Sequence, residues 1–197
     1  MNEQICQRFK VILIGDSGVG KTSLAIRQCE KTFTFLVSPT IGSSHMRTKV
    51  RVDNEEVELM IWDTAGQESL APLVPMYMRG AAVCIIVASC LNIESCEHIK
   101  DWIEVVNQSD SNPRMILAFN KFDLVEDEDS TLQEIKSKYS FGINNIFYTS
   151  AKNGDNVDIL FNQVAIEALD VSVTEIKTTK ESVNLMDSEP RRGSCKC

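Results

Sequence analysis

Residues 15–23 read GDSGVGKTS and follow directly on the apolar run FKVILI at 9–14. Gly15, Gly20, Lys21 and Thr22 fit the spacing GxxxxGK[ST], between an expected strand and an expected helix, the setting in which such a turn cradles phosphate. The glycines let the backbone fold around a phosphate so that successive N–H groups point inward, and the helix N-terminus adds a favourable dipole. Lys21 would reach the β- and γ-phosphates, and Thr22 would place its hydroxyl on Mg²⁺. A tight strand-to-helix turn is the plainer reading of the same residues. The later strand ends decide between the two.

Outward from that stretch, apolar β-rich runs alternate with segments of helical period. Strands are expected at 9–14, 47–52, 57–62, 83–89, 115–119 and 146–149, and helices at 21–31, 93–108, 131–139 and 156–170. This cadence predicts an α/β protein with a mostly parallel six-stranded sheet and helices on both faces. Asp53 and Asn54 supply turn chemistry for one hairpin, which makes one edge strand antiparallel. Ligands of such sheets bind beyond the carboxyl ends of the strands.

Three of those ends carry further chemistry. WDTAGQE, 62–68, follows the third strand. Asp63 can hold a metal-bound water there, Gly66 can offer its N–H to a γ-phosphate, and Gln67 stands where an attacking water can be oriented. NKFD, 120–123, ends the fifth strand, and a carboxylate at Asp123 can accept both the ring N–H and the exocyclic amine of guanine. Adenine lacks that pair of donors. TSAK, 149–152, ends the sixth, where the Ala151 N–H can donate to guanine O6.

With these motifs in order at successive strand ends, the chain resembles a Ras-superfamily small GTPase of the Rab branch from Phe9 to Leu169. The resemblance rests on GDSGVGKTS, TIG, WDTAGQE, YMRGA, NKFDL and TSAKNGDNVDILF. It implies a P-loop NTPase with the small G-protein fold, and a guanine-nucleotide switch that hydrolyses GTP slowly in membrane traffic. Implied nucleotide contacts are Ser17, Gly18, Val19, Gly20, Lys21, Thr22, Ser23, Phe33, Thr40, Gly66, Asn120, Lys121, Asp123, Ser150, Ala151 and Lys152. Phe33 would stack on guanine. Thr22, Thr40 and Asp63 would hold Mg²⁺, and Gln67 and Lys21 would be the catalytic pair. Arg47 and Arg79 read as surface or packing residues, so an arginine finger would come from an activating protein. Implied partners are an exchange factor, a GTPase-activating protein, a GDP-dissociation inhibitor, a Rab escort protein with prenyltransferase, and effectors.

Departures from the Rab pattern bear on function. His45 replaces the aromatic of the hydrophobic triad while Trp62 and Tyr77 remain. Ser69 and Leu70 follow Gln67 and Glu68, and Pro72 and Pro75 are expected to disfavour a regular helix through switch II. Ser17 faces the γ-phosphate, where side-chain size affects the approach of water. A nucleotide-dependent binding module that cycles mainly by exchange is therefore the alternative to a hydrolysing switch.

Composition bounds the remaining possibilities. The 197 residues, 43% apolar and 24% charged, suit one soluble domain with a tail. A net charge of −8 argues against a nucleic-acid partner. No apolar run nears the ~20 residues that span a bilayer, and the N-terminus does not read as a signal peptide, so a cytosolic protein is expected unless something attaches it to a membrane. The seven cysteines fit no disulfide or zinc spacing. Residues 1–170 read as the GTPase domain and 171–197 as a disordered tail, poor in aromatics and nearly balanced in charge. The terminal CKC resembles the Rab signal for double geranylgeranylation at Cys195 and Cys197, a lipid anchor to the cytoplasmic face of endomembranes with a carrier-bound cytosolic pool.

Overall fold

The computed structural model describes residues 6–66 and 74–186, with side chains described except at 128, 129, 131, 136 and 174–186. Six strands form one sheet: β1 (Gln7–Ile14), β2 (Ser43–Val52), β3 (Glu55–Thr64), β4 (Ala81–Ser89), β5 (Arg114–Asn120) and β6 (Ile146–Tyr148). Their order is β2-β3-β1-β4-β5-β6, with β2 antiparallel to β3 and every other neighbour parallel. The expected α/β sheet with one antiparallel edge strand is the observed one.

Strand β1 shows why the sheet is covered on both faces. Val11 and Leu13 join the core formed with α1 (Lys21–Glu30) and α6 (Val157–Met186). Ile12 and Ile14 point the other way, onto α2 (Val74–Met78), α3 (Ile93–Glu97), α4 (Ile99–Asn107) and α5 (Glu128–Lys138). Side chains alternate across a strand, so a run of consecutive apolar residues serves two cores. The chain moves from β1 to β3 on one side and to β4 on the other. The loop after β1 thus opens at the reversal of strand order, where such sheets bind ligands.

Several boundaries differ from the sequence expectation for identifiable reasons. The helix expected over 93–108 is two helices, α3 and α4, meeting at His98, and the Asn92 side chain caps α3 by accepting from Ser95 N. Helix α5 begins earlier than residue 131 because the Asp127 carboxylate accepts from Ser130 N at 3.1 Å, an N-cap. Pro75 does not prevent a helix. It lies in the first turn of the five-residue α2, where its missing N–H would have had no helical partner; Pro72 lies outside the described residues. The backbone expected to be irregular beyond Asp170 is helical as far as Met186, since no Gly or Pro interrupts α6 before that point.

Candidate functional site

The loops after β1, β3, β5 and β6 converge with residues 33–40 on a cleft of about 470 Å³. Ser17, Gly18, Gly20, Lys21, Thr22, Ser23, Phe33, Thr40, Gly66, Asn120, Lys121, Asp123, Ala151 and Lys152 line it. Val19, Asp63 and Ser150 are buried and act from beneath, through a carbonyl, a carboxylate and a hydroxyl. Gln67, Cys195 and Cys197 lie outside the described residues.

Around Gly20 and Gly66 the backbone is tightly constrained. Gly20 precedes α1 at φ 103°, and a Cβ there would stand 2.3 Å from Asn120 Nδ2. A Cβ on Gly66 would stand 2.3 Å from Lys21 Nζ and 2.4 Å from the Asp16 carbonyl oxygen. Only glycine lets the loop after β3 come this close to the loop after β1. Lys21 Nζ donates to the carbonyls of Gly15 and Asp16, each at 2.7 Å. Its burial lowers its pKa to about 8, against the opposing pull of Asp63 and Asp16.

Beside Lys21, Thr22 Oγ1 donates to Asp63 Oδ2 at 2.7 Å and lies 3.0 Å from Thr40 Oγ1, and Thr40 Oγ1 donates to the same Oδ2 at 3.1 Å. Asp63 Oδ1 is buried without a hydrogen-bond partner among the described residues. Burial raises the Asp63 pKa, while the hydroxyls of Thr22 and Thr40, the Lys21 charge and Ser44 oppose that rise. Two hydroxyls and one carboxylate with a spare oxygen match a small hard cation that keeps part of its water shell. The residues present fit Mg²⁺.

At the other end of the cleft the loops after β5 and β6 meet. Asn120, buried at the end of β5, donates from Nδ2 to Val19 O at 2.9 Å and so ties this end to the loop after β1. Lys121 adopts φ 64°, starting the turn Phe122–Leu124 that carries Asp123 into the cleft. Ser150 Oγ donates to Asp123 Oδ1 at 2.7 Å, whereas Oδ2 is buried without a hydrogen-bond partner among the described residues and has Lys152 Nζ 3.8 Å away. Phe33 lines the cleft with its ring edge-on to Phe35 at 5.1 Å. The Ala151 N–H, expected to be available to guanine O6, donates instead to Asn120 Oδ1 at 3.1 Å, because that oxygen faces the loop after β6.

A model of the Ras family matches residues 10–170. The chain is 36% identical to Ras-related protein Rab-22A of Homo sapiens over 194 residues, covering 96% of this chain and 98% of that protein. It is 39% identical to Ras-related protein Rab-31 of Mus musculus, with 81% and 82% covered. It is 36% identical to the Ypt/Rab-type GTPase YPT7 of Saccharomyces cerevisiae, with 96% of each covered. The chain is a Rab-type small GTPase of the Ras family.

This GTPase also uses residues that motif reading passed over. Asp16 Oδ1 accepts from Trp102 Nε1, and Oδ2 from His98 Nδ1, each at 2.8 Å. Both donors come from the α3–α4 junction. Arg27, on α1, reaches the backbone of the loop after β6. No motif marks such contacts, because they join segments more than 80 residues apart. Of the altered hydrophobic triad, His45 keeps an edge-on contact with Trp62 at 5.7 Å between ring centres. Phe35, Leu36 and Ile41 are exposed nearby in sequence.

Proposed function

We propose that this Rab-type GTPase alternates between GTP and GDP forms with Mg²⁺ held by Thr22, Thr40 and Asp63, and that Thr40 is the residue whose engagement reports the γ-phosphate. The observation that carries this reading is the convergence of the Thr22 and Thr40 hydroxyls on Asp63, whose second oxygen is buried with no hydrogen-bond partner among the described residues. Bound Mg²⁺ would neutralise charge on the β- and γ-phosphates. Lys21 and the N–H groups after Gly15 would bind the same oxygens, and the Gly66 N–H would donate to the γ-phosphate. Gln67 would orient the attacking water, so hydrolysis would be slow until an activating protein supplies an arginine. Loss of the γ-phosphate would free Thr40 and Gly66, and with them the residues that an effector recognises.

The domain that switches would be 1–170, and 171–197 its tether. Prenyl groups at Cys195 and Cys197 would hold it on the cytoplasmic face of an endomembrane, and a GDP-dissociation inhibitor would hide them in the cytosolic pool. Among the described residues no helix is long and apolar enough to cross a membrane, and covalent lipid needs none.

Opposed variants test the switch. In purified protein, Gln67→Leu should retain GTP through a single-turnover assay, with and without a matched activating protein. Thr22→Asn should lose Mg²⁺-dependent retention and be recovered with GDP or empty. Matching nucleotide occupancy of the two variants by chromatography would overturn the assignment.

A further inference from the structure

We propose that Arg27 is a positioning residue for base selection: its guanidinium fixes the loop after β6 against α1 and thereby sets Asp123 for the guanine edge. The inference rests on the reading of Asp123 as the guanine acceptor and adds a residue that lies outside every nucleotide motif.

Arg27 Nε donates to Ala151 O at 2.7 Å, Nη2 donates to Lys152 O, and Nη1 donates to Lys31 O at 2.9 Å. Three acceptors in different directions suit a rigid planar fork of donors, which a lysine ammonium cannot reproduce. Ala151 is consequently held from both sides, its N–H on Asn120 Oδ1 and its carbonyl on Arg27. Immediately before it, Ser150 donates to Asp123 Oδ1 and accepts from Asn153 N at 3.0 Å. The path from Arg27 to the base-reading carboxylate is therefore two side-chain hydrogen bonds joined by two residues of backbone. Asp123 Oδ2, the oxygen without a hydrogen bond among the described residues, is aimed by what grips Oδ1.

The third contact reaches the C-terminal end of α1. Lys31 ends α1 in a left-handed conformation, with its N–H on Arg27 O and its carbonyl on Arg27 Nη1. Two residues later comes Phe33, whose ring lines the cleft. A single side chain thus ties the base-reading loop, the end of α1 and the root of the segment leading to Thr40. Because α1 begins with Lys21 and Thr22, the phosphate and base ends are held at one spacing by one helix.

The test uses full-length protein and measures dissociation of GDP and of inosine diphosphate, which lacks the 2-amino group, at saturating Mg²⁺. Arg27→Met and Arg27→Lys are compared with wild type and with Asp158→Ala, which removes an exposed ion pair to Lys31 and serves as a control for stability. With Asp123 no longer aimed, GDP should dissociate about tenfold faster from Arg27→Met. The preference for GDP over inosine diphosphate should narrow in parallel. Arg27→Lys, which keeps charge and stem, should fall between, and it carries the test if Arg27→Met does not fold. Equal acceleration of both nucleotides, or an unchanged preference at any melting temperature, overturns the proposal. Asp123→Asn run beside it separates the two readings. If that variant fails to gain xanthosine diphosphate, the role of Asp123 falls; if it gains it while the Arg27 variants keep the wild-type preference, only the role of Arg27 falls.

Discussion

His98 Nδ1 stands 2.8 Å from Asp16 Oδ2, so the break between α3 and α4 is fastened to the phosphate-binding loop. Trp102 Nε1 holds the other carboxylate oxygen, and the Asp16 carbonyl holds Lys21 Nζ. The hydrogen bond to Asp16 raises the His98 pKa, with added pull from the charges of Asp16, Glu94 and Asp101 and opposition from desolvation. His98 therefore binds its proton more tightly in the folded protein than in the unfolded chain. The stabilisation is complete below the unfolded value, about 6.5, and is lost as pH rises through the higher folded value. Wild type should exceed His98→Gln in stability most at acidic pH, with the gap shrinking as pH rises above the unfolded value. Denaturant titrations of the GDP-bound protein from pH 5 to 9 measure it, and a gap that widens with pH would refute this account.

Lys21 runs in the opposite direction. Burial lowers its pKa to about 8, so between about 8 and the ordinary lysine value near 10.5 the unfolded chain holds the proton that the nucleotide-free fold has lost. In that window this residue makes the nucleotide-free protein more stable as pH rises. Bound phosphates favour the charged ammonium, so GDP binding should take up a proton above pH 8. Affinity should fall between pH 8 and 9.5. Calorimetry in buffers of different ionisation heat reads the proton directly, and no uptake at pH 9 would contradict the assignment.

The sheet was legible because β1, β4 and β5 are runs of apolar residues that a doubly covered strand requires. The residues lining the cleft were legible because each motif is local, a few residues on one strand end. What sequence could not supply were the fastenings: Asp16 to His98 and Trp102, and Arg27 to Ala151 and Lys152. A lone Asp, His or Arg has no periodic signal, and its partner lies far along the chain. The split at His98 was missed for a related reason, since the apolar period of Ile99, Trp102 and Val106 continues that of Cys96 across the break. Pro75 misled because its effect depends on where a helix starts, and α2 starts one residue earlier.

The C-terminal thiols make a prediction that depends on covalent chemistry. A single prenyl chain gives marginal membrane affinity and two give stable anchoring, at ~0.8 kcal/mol per buried CH₂. Cys195→Ser or Cys197→Ser should weaken sedimentation with membranes, and the double variant should be soluble. Fractionation with mass spectrometry of the C-terminal peptide checks both points. A double variant that sediments as wild type does would place the anchor elsewhere.

Asp123 offers the sharpest test of ligand identity. Its Oδ1 is taken by Ser150, and its buried Oδ2 has no hydrogen bond among the described residues and the Lys152 ammonium 3.8 Å away, so it can still accept from a ligand. Guanine presents a ring N–H and an exocyclic amine on one edge, two donors for a carboxylate. Adenine presents an acceptor where guanine has the ring N–H. In Asp123→Asn an amide donor would face those donors, so GDP affinity should fall by several kcal/mol, at ~1.5 to 3 for each charged hydrogen bond lost. Xanthine carries a carbonyl in place of the amine, which the new amide can meet. Xanthosine diphosphate should accordingly bind the variant more tightly than GDP does, the reverse of wild type. Equilibrium titration of both nucleotides against both proteins settles it, and undiminished GDP affinity in Asp123→Asn would mean that another group reads the base.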